Sequence, residues 1–100
     1  MANTSTYYVG TDLKFLISIE ASGFSMDEDH YSIVLRCGGK EVPGDVVEGD
    51  NNEHYLIIDS SQFSSGTLKM IVYAEVPDDD FPDGARTEVA AIDLCELKRV

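Results

Sequence analysis

Apolar positions along this chain recur with a period of two, the period of a strand whose side chains point alternately to a core and to solvent. Leu13, Phe15, Ile17 and Ile19 fall on one face of the first long run, with Lys14, Leu16, Ser18 and Glu20 on the other. Tyr31, Ile33, Leu35 and Cys37 alternate with Ser32, Val34 and Arg36. That run stops at Gly38-Gly39, which suits a two-residue hairpin because glycine takes positive φ without a Cβ penalty. A short strand is expected over 40–47 and another over 54–59. The serine- and glycine-rich segment 60–66 reads as a loop with Phe63 tucked under the core. Residues 67–76 make the longest clean alternation, with Leu68, Met70, Val72, Ala74 and Val76 on one face. Asp78 to Gly84 has the composition of a turn, a last strand covers about 86–97, and Ser5–Val9 adds a short edge strand. No helical period persists for two turns.

Short strands with turn signals every eight to twelve residues predict an all-β fold, an immunoglobulin-like β-sandwich of about seven antiparallel strands, with a small barrel as the alternative. A chain of 100 residues holds one core. The sandwich is expected over 10–97, preceded by an arm or edge strand at 1–9 and followed by a tail at 98–100. Its core is expected to be Leu13, Phe15, Ile17, Ile19, Ile33, Leu35, Leu68, Met70 and Val72. There is no tryptophan, so the Cys-Trp-Cys centre of antibody domains is absent. Cys37 and Cys95, on the predicted third and last strands, are expected as free thiols, each bordering strand 67–76 rather than the other cysteine.

Charge narrows the function classes. The net charge of −12 argues against nucleic acid and against anionic membrane surfaces, both of which call for a basic face. The N-terminus has no basic or apolar signal region, and no apolar run is long enough to span a bilayer, so synthesis and retention in a cytoplasm are expected. The Asn3-Thr4-Ser5 sequon is then a chance match. Catalysis finds little support. No G-x-S-x-G, H-E-x-x-H or phosphate-binding glycine loop occurs, and the one conceivable nucleophile–base couple, Cys37 with His54, has its thiol facing the core. The chain is therefore read as a non-enzyme without a cofactor. No C-x-x-C is present, and His30 and His54 stand isolated, as loop and strand-edge residues, so no zinc pattern is read.

Two features remain as candidate sites. In an immunoglobulin-like topology the loops at about 21–30, 48–53 and 77–85 share one end, and they carry Asp27, Glu28, Asp29, Glu48, Asp50, Glu53, Asp78, Asp79, Asp80 and Asp83. The first reading of this end is local turn chemistry and solubility. The second is Ca²⁺ held by Asp78, Asp80 and Asp83 with Asp27 or Asp29, although the spacing is not that of an EF-hand. The third is docking to a basic patch on a partner. The other feature is a set of apolar residues at outward positions, Leu16, Val34, Ile71 and Tyr73, which on one face would form an interface. A β-bulge, or cover by the N-terminal segment with Tyr7 and Tyr8, would also account for them.

The stretches Gly10–Phe15, Tyr31–Val42 and Ile71–Val89, above all the run from Asp78 to Glu88, resemble small virion proteins of tailed phages of Bacteroidales, including crAss-like phages. The order of elements also resembles the immunoglobulin-like N-terminal domain of phage baseplate upper proteins. The resemblance implies an auxiliary capsid or head-fibre-associated structural protein. Such a protein decorates or cements the shell, or seats a head fibre or tail component, by contact with capsid or other virion proteins or with copies of itself. Its place would be the virion, assembled in the bacterial cytoplasm. The chain ends near the domain boundary, so no long fibre is expected within it. The alternative is an immunoglobulin-like binding module for a carbohydrate or host-surface ligand, with or without Ca²⁺, using Tyr7, Tyr8, Tyr31, Tyr55 or Phe81 as stacking platforms.

Overall fold

The alternating segments become eight strands in the computed structural model, which describes residues 5–21 and 23–100. They are β1 (Thr6–Tyr8), β2 (Asp12–Ile17), β3 (Tyr31–Cys37), β4 (Lys40–Pro43), β5 (Asp45–Glu48), β6 (His54–Asp59), β7 (Gly66–Pro77) and β8 (Ala85–Lys98). Single 3₁₀ turns occupy Asp50–Asn52 and Ser60–Gln62. The residues Asn3 and Thr4 of the sequon lie outside the described ones.

A five-stranded sheet in the order β1-β8-β7-β3-β4 faces a three-stranded sheet in the order β2-β6-β5. This is a sandwich and not a barrel, and its strand order is that of immunoglobulin-like domains. One pairing departs from the antiparallel expectation: β1 runs parallel to β8, with Thr6 opposite Glu96 and Tyr8 opposite Lys98. The predicted strand 40–47 also proves to be two. β4 pairs with β3, β5 pairs with β6, and the chain changes sheets at Gly44. A Cβ at Gly44 would lie 2.8 Å from Ile33 Cγ2 and 3.1 Å from Leu56 Cδ1, one residue from each sheet, so the crossing passes through a space that only glycine fits.

Leu13 and Ile17 of β2, Leu56 and Ile58 of β6, Ile33, Leu35 and Cys37 of β3, Leu68, Met70 and Val72 of β7, and Cys95 and Leu97 of β8 close the core together with Phe63. Phe15 and Ile19, expected inside, are only partly buried at its margin: β2 is the outer strand of the smaller sheet, and Ile19 lies beyond its end. Ser60 seals one end: its hydroxyl donates to the Thr11 carbonyl at 2.6 Å and accepts the Gly10 N–H at 2.9 Å.

β7 and β8 form a hairpin far longer than the other strands, with a bulge at Leu68/Lys69. Beyond the bulge, Met70 and Val72 on the inner face pair with Ile92 and Ala90. The smaller sheet does not cover the β8 half of this arm, which leaves Ile92 half exposed beside a groove of about 180 Å³ also lined by Ile17 and Ile19. The molecule is accordingly elongated, 50 × 31 × 27 Å.

Candidate functional site

The β5–β6 hairpin turns through Asn51 and Asn52, both at positive φ (59° and 61°), a conformation that asparagine accepts more readily than most residues. The Gly49 N–H donates to the Glu53 carbonyl at 2.8 Å and closes the turn. Glu48 and His54 are thereby opposite partners in the ladder, the arrangement in which Cβ atoms lie about 5 Å apart on one face. That face is the inner one, since His54 shares the parity of the buried Leu56 and Ile58.

The β2–β3 connection brings a third group. It is organised by Ser25 and Asp29: the Ser25 N–H donates to the Asp29 carboxylate at 2.8 Å, and the Asp29 N–H returns to the Ser25 carbonyl at 2.8 Å. The Asp27 N–H donates to the Ser25 hydroxyl at 3.3 Å. Phe24 meets Tyr31 edge to face, with ring centroids 6.4 Å apart, and ties the loop to β3. Asp27 then stands over the hairpin end, its Oδ1 3.3 Å from His54 Nε2, while Glu48 Oε1 lies 3.8 Å from the same nitrogen. The imidazole is only 8% exposed, whereas Asp27 is 50% and Glu48 72% exposed. Tyr31 faces the group from the opposite sheet, and burial first, then the charges of Asp27 and Glu48, hold its hydroxyl protonated above the usual range.

His54, read from the sequence as an isolated strand-edge residue, is therefore a buried member of a cluster with two of the acids. The inward signal was present in the alternation His54, Leu56, Ile58. Histidine is ambiguous in such a pattern because it is found both inside and outside folds. His30 is exposed, and its carbonyl accepts the Glu75 N–H at 2.9 Å.

The other acidic loop is built differently. The Asp78 carboxylate accepts the Asp80 N–H at 3.0 Å and the Arg86 guanidinium at 2.7 Å, and these two contacts lower its pKa in that order. Arg86 also reaches Glu88 at 3.0 Å. Among the described residues Asp78, Asp80 and Asp83, named above for Ca²⁺, do not converge; the only three ligand-type side chains within 4.8 Å of one another are Asp27, Glu48 and His54. Glu28, Asp50 and Glu53 are not among them, and Glu53 instead accepts the Tyr55 hydroxyl at 3.1 Å.

The apolar outward residues divide between two faces. Leu16 lies on the outside of the three-stranded sheet, opposite Tyr55, and so does not join the other three. Val34 and Ile71 are opposite each other on the outside of the five-stranded sheet, and Tyr73 follows two residues along β7. β8 extends this row, with Ala91 opposite Ile71 and Val89 opposite Tyr73. Ile71 is only 8% exposed although it points away from the core between the sheets, because Val34, Ala91, Lys69 and Tyr73 surround it on its own face. Tyr73 and Val89 are open to solvent. The aromatics considered for sugar stacking are dispersed. Tyr7 packs at the core margin, Lys14 Nζ sits 4.5 Å over the Tyr55 ring, and Tyr8 and Phe81 are exposed on separate elements.

Both thiols are buried and free. One step beyond Arg36 opposite Lys69, Cys37 comes opposite Leu68, which is itself opposite Cys95. Two strand spacings of ~4.8 Å put the cysteines roughly 10 Å apart, beyond disulfide reach. Burial, chiefly, pushes the Cys95 thiol up to about 11, which keeps it neutral. No helix among the described residues is long and apolar enough to cross a membrane.

No protein-family model, curated protein or solved structure matches this chain.

Proposed function

We propose that the chain is a non-enzymatic structural protein of a phage virion, seated on capsid, head-fibre or tail protein through the outer face of its five-stranded sheet. The observation that carries this reading is the apolar row Val34, Ile71 and Ala91 with Tyr73 and Val89 beside it, on a face that no other layer of the described residues covers. A contiguous apolar area of this kind is a liability in solution and an asset in an assembly. The virion setting comes from the resemblance of the sequence to small phage structural proteins. The acidic loops lie at one end, off this face, and in this reading steer association with a basic partner.

The test is cosedimentation of the purified protein with phage particles that lack it. Tyr73 and Val89 are opposite one another and exposed, so Tyr73→Lys with Val89→Glu replaces an apolar pair by an opposite-charge pair without touching the core. Wild-type protein is expected in the pellet, and the double variant in the supernatant with an unchanged circular dichroism spectrum. A double variant that sediments like wild type removes this face from the contact. Wild-type protein that stays in solution removes the virion reading.

A further inference from the structure

We propose that Asp27, Glu48 and His54 form a binding site for one divalent first-row transition-metal ion of the Zn²⁺ type. Three separate elements supply the donors: the β2–β3 connection, the end of β5 and the start of β6. The donor set, one imidazole and two carboxylates, is of the kind that Zn²⁺ and its neighbours accept, whereas Ca²⁺ takes six or more oxygens and avoids nitrogen.

The geometry agrees with the chemistry. A tetrahedral ion with Zn–N and Zn–O bonds of ~2.0–2.1 Å requires its donor atoms about 3.3 Å apart. His54 Nε2 and Asp27 Oδ1 stand at 3.3 Å, Nε2 and Glu48 Oε1 at 3.8 Å, and all three atoms lie within 4.8 Å of one another. The remaining closure falls on Glu48, whose side chain is 72% exposed and free to move by that amount.

Charge and burial point the same way. Among the described residues, the ion pairs formed by Asp27 and Glu48 are with His54 and not with a lysine or arginine. Two carboxylates thus converge on one imidazole that is 8% exposed and aims its Nε2 between them. A bound cation would neutralise both carboxylates and join the β2–β3 connection to the β5–β6 hairpin at the end of the sandwich. The site is distant in kind from the proposed contact face, so either reading can fail without the other.

The experiment is titration of chelator-treated protein with ZnCl₂, followed by calorimetry, by thermal unfolding and by the His54 ring signals in NMR, with CaCl₂ and MgCl₂ in parallel. One Zn²⁺ per chain is expected, with a melting temperature that rises with metal concentration and a shift of the His54 ring signals. Glu48→Gln and Asp27→Asn are expected to weaken binding by on the order of tenfold or more, and His54→Gln to abolish it. A Cys37→Ala, Cys95→Ala variant and an Asp78→Asn variant are expected to bind as wild type. Both Glu48 and Asp27 are exposed enough that their amide variants will fold, so loss of binding in them reports on the ion. The proposal is overturned if millimolar Zn²⁺ leaves the protein unchanged, which makes the cluster a polar contact of His54 alone. It is also overturned if Glu48→Gln and Asp27→Asn bind as tightly as wild type, if the thiol variant loses the metal, or if Ca²⁺ binds as tightly as Zn²⁺.

Discussion

Two acidic groups at the same end of the sandwich show how differently the same residue types can be used. In the β7–β8 turn, Asp78 is occupied by the backbone of Asp80 and by Arg86, all within a few residues of sequence, and its neighbours Asp79, Asp80 and Asp83 face solvent. That group serves its own turn. Glu48 and His54 belong to the β5–β6 hairpin, Asp27 comes from the β2–β3 connection far from it in sequence, and the two carboxylates meet over a buried imidazole. The density of acids is higher in the first group, and the capacity to hold a ligand is greater in the second. Convergence of separate elements, rather than a run of like residues, makes the difference.

His54 is the buried member of the second group, and the two loops differ most there. His54→Ala should remove a side chain wedged at the end of the core and leave two carboxylates facing each other, at a cost on the order of 2–3 kcal/mol. Phe81→Ala, at the exposed tip of the other loop, should cost under about 0.5 kcal/mol. Urea midpoints at constant slope measure both, and equal losses would show that the two loops are coupled to the core alike. Arg86→Ala is the next smaller effect. It should lower the midpoint at low ionic strength by less than His54→Ala does, and its effect should shrink in molar salt, because the Arg86 pairs are partly exposed.

The smallest effect is a pH dependence. Asp78 has a folded pKa below its ordinary value, so the unfolded chain takes up its proton first as pH falls. The stability it supplies is full above the unfolded carboxylate pKa near 3.9 and is lost as pH drops through the folded one. Asp78→Asn should therefore flatten the acid limb of the stability curve below about pH 4, compared with wild type. A steeper acid limb in Asp78→Asn would mean that the β7–β8 turn is not held by this carboxylate.

Most strands were legible because one face of each is buried and the period of two survives intact. Leu13 and Ile17, Ile33, Leu35 and Cys37, and Leu68, Met70 and Val72 all lie inside as their alternation predicts. Residues 40–47 show what alternation misses: a strand that changes sheets at Gly44 keeps its period across the crossing, and the Pro43-Gly44 pair is the local sign that the period hides. Ile71 shows a second gap. Its parity correctly turns it outward, yet its burial comes from neighbours contributed by β3 and β8, whose register is not a property of β7. Leu16 has the same parity on its own strand but belongs to the other sheet, so the four outward residues never formed one face.

Alternation, turn chemistry and composition act over a few residues, and they were enough for the all-β class, most of the strands, the free thiols and the acidic loops. The tertiary structure decided which strands share a sheet, that β1 runs parallel to β8, that the β7–β8 arm outreaches its covering sheet, and that Asp27 and Glu48 meet at His54. Those outcomes depend on how separate strands and loops meet across the two sheets. Such meetings are set by the joint closure of one core between two sheets, and no short stretch of chain specifies them alone.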